Sequence, residues 1–399
     1  MKREAPDIAA IQRALAASSP PFGGWLFYDF RGLDPISLGI LRFRSDRMAT
    51  RRWFYLVPAA GEPVRICHRI EADALDHLPG RTLLYSGWRE LTSHLETVLA
   101  GLGRVAMQYS PRNAIPYVSR VDGGTLEMVR ACGVEVGSSA DLVQTFEAVM
   151  SEEQLATHLA AASMLRETVD LTFGEVRRRL LHGLPATEFE IQTFMMDRFR
   201  SLGFTADHPP IVAVNEHAGQ PHYLPEASGS SPIRRGDLLL IDLWARQDRP
   251  GSIYADITWT AFLDATVPQR HAQVFEVVRG ARDAAASFVQ TEIAAGREVL
   301  GRQVDDVARR HIEQRGFGPQ FTHRTGHNLG YEVHGNGAHL DHLETIDERR
   351  LIPRTAFTIE PGVYLPEFGI RSEINLYVRE REAIVTGPPI QTELSPLLA

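Results

Sequence analysis

The sequence predicts an α+β chain of two domains, and three observations carry that reading. Its 399 residues exceed what one ordinary core fills, at roughly 100–200 residues per domain. The first 150 residues alternate strand-like and helix-like runs, the pattern of an α/β domain. Beyond residue 150, strand-like runs are separated by long helices, which suggests an α+β layer and not strict βαβ alternation. The expected domains are 1–150 and 151–399.

In the first domain GWLFYDF, ISLGILRF, RRWFYLVP, TLLYSG and GRVAMQYS are rich in aromatic and β-branched residues and read as strands. SHLETVLAGLG reads as an intervening helix closed by glycine. Ser151 with Gln154 forms a capping-box pattern that opens a long helix, ended by Gly183 and Pro185. Thr187 with Glu190 opens the next helix in the same way. PIVAVN, DLLLIDLWA, ADITWTAFL, RTAFTIEPGVYL and INLYVRE then read as strands, with helices over 267–293 and 302–315.

Composition removes several chemistries. The net charge of −8 gives no reason to expect nucleic acid or an anionic membrane as partner. No apolar run approaches the roughly 20 residues of a membrane span. The charged, amphipathic N-terminus does not read as a signal peptide. Cys67 and Cys132 are the only cysteines, so no disulfide framework or thiolate cluster is expected, and a cytoplasmic location is the simplest expectation. The sole lysine is Lys2, which excludes a Schiff-base lysine and a Walker A lysine within the folded chain.

Four acids fall in or beside strand-like runs of the second domain: Asp242 in LLLIDLW, Asp256 in IYADITWTAF, Glu360 in FTIEPG and Glu373 in IRSEINLYV. A buried carboxylate is costly unless it is paired or binds a cation. One such residue alone is most simply an ion-paired side chain. Four together, beside the histidine-rich stretch HRTGHNLGYEVHGNG at 323–337, point to a cation site. A set of Asp, Asp, His, Glu and Glu suits Mn²⁺, Co²⁺ or Zn²⁺, and two divalent ions would balance four negative charges. Such a pair can share a hydroxide and polarise a carbonyl.

With these residues in order, the chain resembles the pita-bread metallopeptidases, a family that includes methionine aminopeptidase, aminopeptidase P and prolidase. LLLIDLW resembles the family's I-D-x-G strand and GSIYADITWT its G-Y-x-x-D-x-T-R-T strand. HRTGHNLG resembles H-G-x-G-H-x-x-G, YEVHGNG the V-H element, TIEPG matches in full, IRSE matches R-x-E, and NEHAGQPHY resembles the N-x-x-x-x-H-Y element with two more residues between Asn215 and His222. The resemblance implies a C-terminal pita-bread catalytic domain behind an N-terminal creatinase-like α/β domain that shapes the pocket and supports a homodimer.

It implies two divalent ions per chain, with Mn²⁺ foremost, on Asp242, Asp256, His327, Glu360 and Glu373. Glu360, His334 and His323 are the implied catalytic groups, and His222, His323, His334 and Arg371 the implied substrate-binding groups. The implied reaction is hydrolysis of the bond before proline in Xaa-Pro dipeptides, by a hydroxide bridging the metals with Glu360 as proton shuttle. The alternative is an Xaa-Pro aminopeptidase acting on longer peptides. A pseudo-enzyme and a hydrolase of organophosphorus esters are rival readings.

Several positions depart from the family pattern. Trp244 stands for the small residue of I-D-x-G and Trp259 for the arginine of T-R-T, and both are expected to alter the pocket. The stretch between Asp242 and Asp256 is long, which suggests a bulged loop around RQDRPG. Arg354 stands where a turn glycine is common, and Ile374 where an acid is common. Gly326, Gly330, Gly335 and Gly337 are expected to permit close approach and positive φ. His339 and His342 are expected on the surface.

Overall fold

The computed structural model describes residues 6–43 and 49–399. The chain forms two compact units, Met1–Glu147 and Ala148–Ala399.

The first unit contains α1 (Ile8–Ala17), β1 (Gly24–Asp29), α2 (Pro35–Ile40), β2 (Trp53–Pro58), β3 (Val64–His68), β4 (Arg81–Tyr85), α3 (Trp88–Leu99), β5 (Arg104–Met107), α4 (Gly123–Ala131), β6 (Glu135–Ser138) and α5 (Ala140–Glu147). Its sheet runs β4-β3-β2-β1-β5-β6. The β1–β5, β5–β6 and β3–β4 pairs are parallel, and β2 is antiparallel to both neighbours. Alternation along β1 sends Trp25 and Phe27 into one core with Ile11, Leu15 and Val143. Leu26 and Tyr28 enter the opposite core with Leu91, Leu95 and Val129. Helices therefore cover both faces, which explains why every residue of β1 is buried.

One expected strand is a helix. Residues 36–40 of ISLGILRF join Pro35 in α2 because Asp34 caps the Ser37 N–H and Pro35 occupies the first turn. That local start signal outweighs the β-branched residues that follow it.

The second unit begins with α6 (Glu152–Leu181) and α7 (Glu188–Ser201), each opened by the expected capping box. Then come β7 (Phe204–Thr205), β8 (Ile211–Val214), β9 (Leu238–Gln247), β10 (Ala255–Phe262), α8 (Gln269–Ala294) and α9 (Gly301–Glu313). Short strands complete it: β11 (Asn328–Leu329), β12 (Ala356–Ile359), β13 (Gly362–Tyr364), β14 (Gly369–Arg371), β15 (Ile374–Val378), β16 (Ala383–Thr386) and β17 (Ser395–Pro396). One sheet runs β17-β10-β9-β7 with β8 also on β9, another runs β11-β12-β15-β16, and β13 and β14 form a ribbon.

Period-2 alternation sorts the residues of β9 and β10. Leu239, Ile241 and Leu243, with Ala255, Ile257 and Ala261, pack beneath α6 and α7. Asp242, Trp244, Asp256, Thr258 and Thr260 lie on the other face. A separate core holds α8 and α9 against β12, β13, β14 and β15. The helices thus form the outer layer, and the polar faces of the sheets turn inward. Among the described residues no helix is long and apolar enough to cross a membrane.

A buried histidine ties this unit together. His158 of α6 is fully buried, with Nδ1 at 2.7 Å from the Tyr254 carbonyl oxygen and Nε2 at 2.8 Å from Thr386 Oγ1. A neutral ring satisfies both contacts: Nδ1–H donates to the carbonyl, and Nε2 accepts from the hydroxyl. Burial pushes its pKa down to about 4. The unfolded chain takes up the proton near the ordinary histidine value of about 6.5. This contribution to stability is therefore complete above pH 6.5 and is lost as pH falls toward 4, by roughly 1.4 kcal/mol per pH unit. Urea unfolding at pH 7 and pH 5 should show the stability gap between wild type and His158→Gln shrinking on acidification. A constant gap would rule His158 out as the titrating group.

Candidate metal centre

The inward faces of β9 and β10 bring two acids together. Asp242 pairs across the strands with Thr258, and Asp256 with Trp244, so the two aspartates sit diagonally on one face. Glu373 joins from the turn between β14 and β15, where Thr258 Oγ1 donates to Glu373 Oε2 at 2.8 Å. Asn375 of β15 accepts the Asp256 N–H at 3.1 Å and locks this second sheet against β10. Glu360 follows β12; Thr358 Oγ1 lies 3.1 Å from its Oε1, and the Thr325 carbonyl accepts its N–H at 2.8 Å.

His327 faces this acid group. Its Nε2 lies 3.2 Å from Glu360 Oε1 and 3.6 Å from Asp256 Oδ2. Nδ1 is 3.3 Å from the Asn328 carbonyl, so the ring proton belongs there and the Nε2 lone pair points at carboxylate oxygens. Burial, and then the neighbouring His334 ring, hold His327 well below the ordinary histidine pKa. A neutral ring thus aims a lone pair at anionic oxygens, an arrangement that repels unless a cation lies between them. Donor atoms of Asp256, His327 and Glu373 all fall within 4.8 Å of one another.

The carboxylates carry the same signature. Asp242 Oδ1, Asp256 Oδ1 and Glu373 Oε1 are buried with no hydrogen-bond partner. Burial and then Glu373 push the Asp256 pKa well up, and burial and then Glu360 do so for Glu373. Burial raises Glu360 to about 7, opposed by Arg371. Buried, unsatisfied, mutually repelling carboxylates around an imidazole lone pair fit an oxygen-rich divalent cation site.

Arg371 is the counter-charge built into the protein. It is buried, and Nη2 donates to Asp242 Oδ2 at 2.5 Å, Nη1 to Tyr364 OH at 2.8 Å and Nε to Thr258 Oγ1 at 3.2 Å. The Tyr364 hydroxyl meets His323 Nε2 at 2.7 Å, while His323 Nδ1 meets the Arg324 carbonyl at 2.7 Å. Both nitrogens of His323 are therefore engaged by protein groups, and its link to the carboxylates runs through Tyr364 and Arg371. His334 and His222 are exposed. The His334 ring meets His327 edge-on at 4.3 Å, and His222 acts electrostatically on His334.

The loop carrying His323 and His327 is pinned from α9. The buried Asp305 carboxylate accepts the Thr325 N–H at 2.9 Å and its hydroxyl at 2.7 Å. Gly326 is required because a Cβ there would lie 2.0 Å from the Thr358 carbonyl oxygen. None of Gly326, Gly330, Gly335 and Gly337 adopts the left-handed region, so close approach and not positive φ explains them. Asp305, Thr258, Thr358 and Tyr364 escaped the sequence reading. Thr258 and Thr358 stand inside the quoted motifs, two residues from Asp256 and Glu360, and that spacing was the available signal.

Two expectations are corrected. His339 is fully buried, not on the surface: its Nδ1 accepts the Asn328 N–H at 3.1 Å, and its own N–H donates to Asp347. The polar run around it folds inward because Asp341 and Asp347 satisfy backbone donors there. His342 is exposed, as expected. Trp259 does not face the acids. Odd positions of β10 point to the helix layer, where the Arg166 guanidinium lies 3.9 Å from the Trp259 ring centre. Trp244 stays on the acid face.

Arg371→Met should destabilise the metal-free protein by about 3–5 kcal/mol, because it strips a buried carboxylate of its partner. Tyr364→Phe should cost about 1–3 kcal/mol by orphaning one guanidinium N–H. Chemical denaturation measures both, and equal effects would contradict the central place of the Asp242 pair.

Residues 128–380 match metallopeptidase family M24. The chain is 25% identical over 335 residues to the probable dipeptidase PepE of Mycobacterium tuberculosis strain H37Rv, covering 82% of this chain and 81% of that one. It is 30% identical over 174 residues to the Xaa-Pro dipeptidase of Pyrococcus furiosus, which spans 43% of this chain and 45% of that enzyme. Its fold is similar to that of dipeptidase PepE from Mycobacterium ulcerans, with TM-score 0.69 at 22% identity over 98% of this chain and 97% of that one. With a match across more than half of its length and its acids and histidine gathered as described, this chain belongs to metallopeptidase family M24.

Proposed function

We propose that this metallopeptidase hydrolyses the peptide bond before proline in Xaa-Pro dipeptides, using two divalent ions held by Asp242, Asp256, His327, Glu360 and Glu373. The observation that carries the reading is the His327 Nε2 lone pair aimed at carboxylate oxygens among three orphaned buried acceptors. Similarity to the Pyrococcus Xaa-Pro dipeptidase supports the substrate class. When bound, two divalent ions would activate a water molecule and polarise the scissile carbonyl.

The protein groups divide the remaining work. Glu360 keeps 15% side-chain exposure against 7% for Asp256, so its carboxylate can meet both water and substrate. It takes the proton of the attacking water and delivers it to the leaving nitrogen. That delivery matters because proline's amide nitrogen carries no hydrogen of its own. His334 and His222, exposed beside His327, contact the substrate on the proline side. Arg371 holds Asp242 in place and, through Tyr364, orients His323.

Two measurements test this. Metal-stripped protein reloaded with Mn²⁺ should release free proline from Ala-Pro and Leu-Pro and leave Ala-Pro-Ala intact. Comparable tripeptide cleavage would make it an Xaa-Pro aminopeptidase, and no cleavage with metal bound would end the proline-specific reading. Asp256→Asn should raise the melting temperature of the metal-free protein, by roughly 2–4 °C for each kcal/mol of repulsion relieved. It should also diminish the further rise that Mn²⁺ produces in wild type. A destabilised metal-free variant with an undiminished Mn²⁺ response would contradict the assigned cluster.

A further inference from the structure

We propose that Asp207, held by Trp244, binds the α-ammonium group of the peptide substrate. The inference rests on the peptidase reading above and adds the residue that recognises the substrate's free amino end. It starts from a local irregularity in the sheet. Antiparallel pairing sets Thr205 opposite Arg246 and Ile211 opposite Asp242. Residues 206–210, five in number, thus oppose only 243–245, and the surplus makes the segment bulge from the sheet.

Asp207 stands in that bulge. Its Oδ1 accepts the Trp244 indole N–H at 2.8 Å and the His208 backbone N–H at 3.0 Å. Among the described residues Oδ2 pairs with the His208 ring at 3.4 Å, and that ring is 70% exposed. The Asp207 side chain is 42% exposed, so an acceptor oxygen is open to a ligand from solvent.

Trp244 connects this carboxylate to the centre. It lies two residues beyond Asp242 on the same face of β9 and directly across from Asp256. Two residues of strand span roughly 7 Å, so Trp244 borders the acid cluster along the strand. The indole packs with Ile211, Ala213, Leu240 and Tyr254, which fixes the direction of its N–H. Asp207 also acts electrostatically on His334. Asp242, Asp256 and Glu373 are buried and committed to the cluster. An accessible carboxylate that Trp244 ties to the acid face of the sheet fits a primary ammonium at the end of a short peptide. A small glycine-like residue at position 244 would offer neither the N–H nor the wedge.

The test compares wild type with Asp207→Asn, both loaded with Mn²⁺, on whichever of Ala-Pro and Ala-Ala wild type cleaves. The competing ligand is the matched lactoyl compound, in which a hydroxyl replaces the α-amino group. The expected result is a KM about tenfold or more higher in the variant, the effect of losing a charge-assisted hydrogen bond. The inhibition constant of the lactoyl compound and the bound metal should stay unchanged. Trp244→Phe should raise KM in the same direction by a smaller factor. An unchanged KM in Asp207→Asn, or an equal weakening of the lactoyl compound, overturns the proposal. Wild-type cleavage of Ala-Ala without Ala-Pro would sink the proline reading while the role of Asp207 is still measured. Cleavage of neither peptide would overturn both.

Discussion

The second unit is organised around buried negative charge. Asp242, Asp256 and Glu373 are nearly inaccessible to solvent, and their burial would be prohibitive in isolation. The protein compensates only part of it, through the Arg371 guanidinium on Asp242 and the Thr258 hydroxyl on Glu373. The oxygens left without partners are those that a hard cation would take. The apolar backing of β9 and β10 by α6 and α7 is what keeps these acids from relaxing toward water.

Around that charge, rigidity comes from backbone hydrogen bonds made by buried polar side chains. Asp305 fixes Thr325, Asn328 binds the Ala356 carbonyl and the Gly337 N–H, and the Thr358 hydroxyl accepts the His327 N–H. The histidine loop has little regular structure of its own, yet its backbone is fastened at several points to α9 and β12. A loop fixed in this way can hold an imidazole lone pair against carboxylates in the absence of a strand or helix. Arg354 shows the same economy. It adopts φ 68, a conformation glycine takes more easily, and its Nε donates to the Met150 carbonyl at 2.8 Å. The hydrogen bond offsets the conformational strain.

The two tryptophan departures from the family pattern act on opposite sides of the same sheet. Trp259 joins the helix-facing core and stacks beneath Arg166, so its effect is on packing. Trp244 lies with the acids and orders Asp207. Substitutions three residues from Asp256 and two from Asp242 thus have unrelated consequences, because a strand turns alternate side chains to opposite faces.

The sequence by itself determined the elements with strong local signals. Capping boxes at Ser151 and Thr187 start α6 and α7, and apolar runs mark β9 and β10, whose register then sets Asp242 and Asp256 on one face. The TIEPG, IRSE and HRTGH motifs pointed to Glu360, Glu373 and His327, each within a short stretch, and the structure brings these side chains to one place. The long loop between the aspartates was legible too, and residues 248–254 fill it between β9 and β10. Tertiary structure alone decided the rest. The burial of His339, the Arg371–Tyr364–His323 chain and the grip of Trp244 on Asp207 all depend on contacts between residues distant in sequence. No local pattern encodes such pairs, since their energy comes from desolvation and hydrogen bonding that exist only once the sheets and helices have packed.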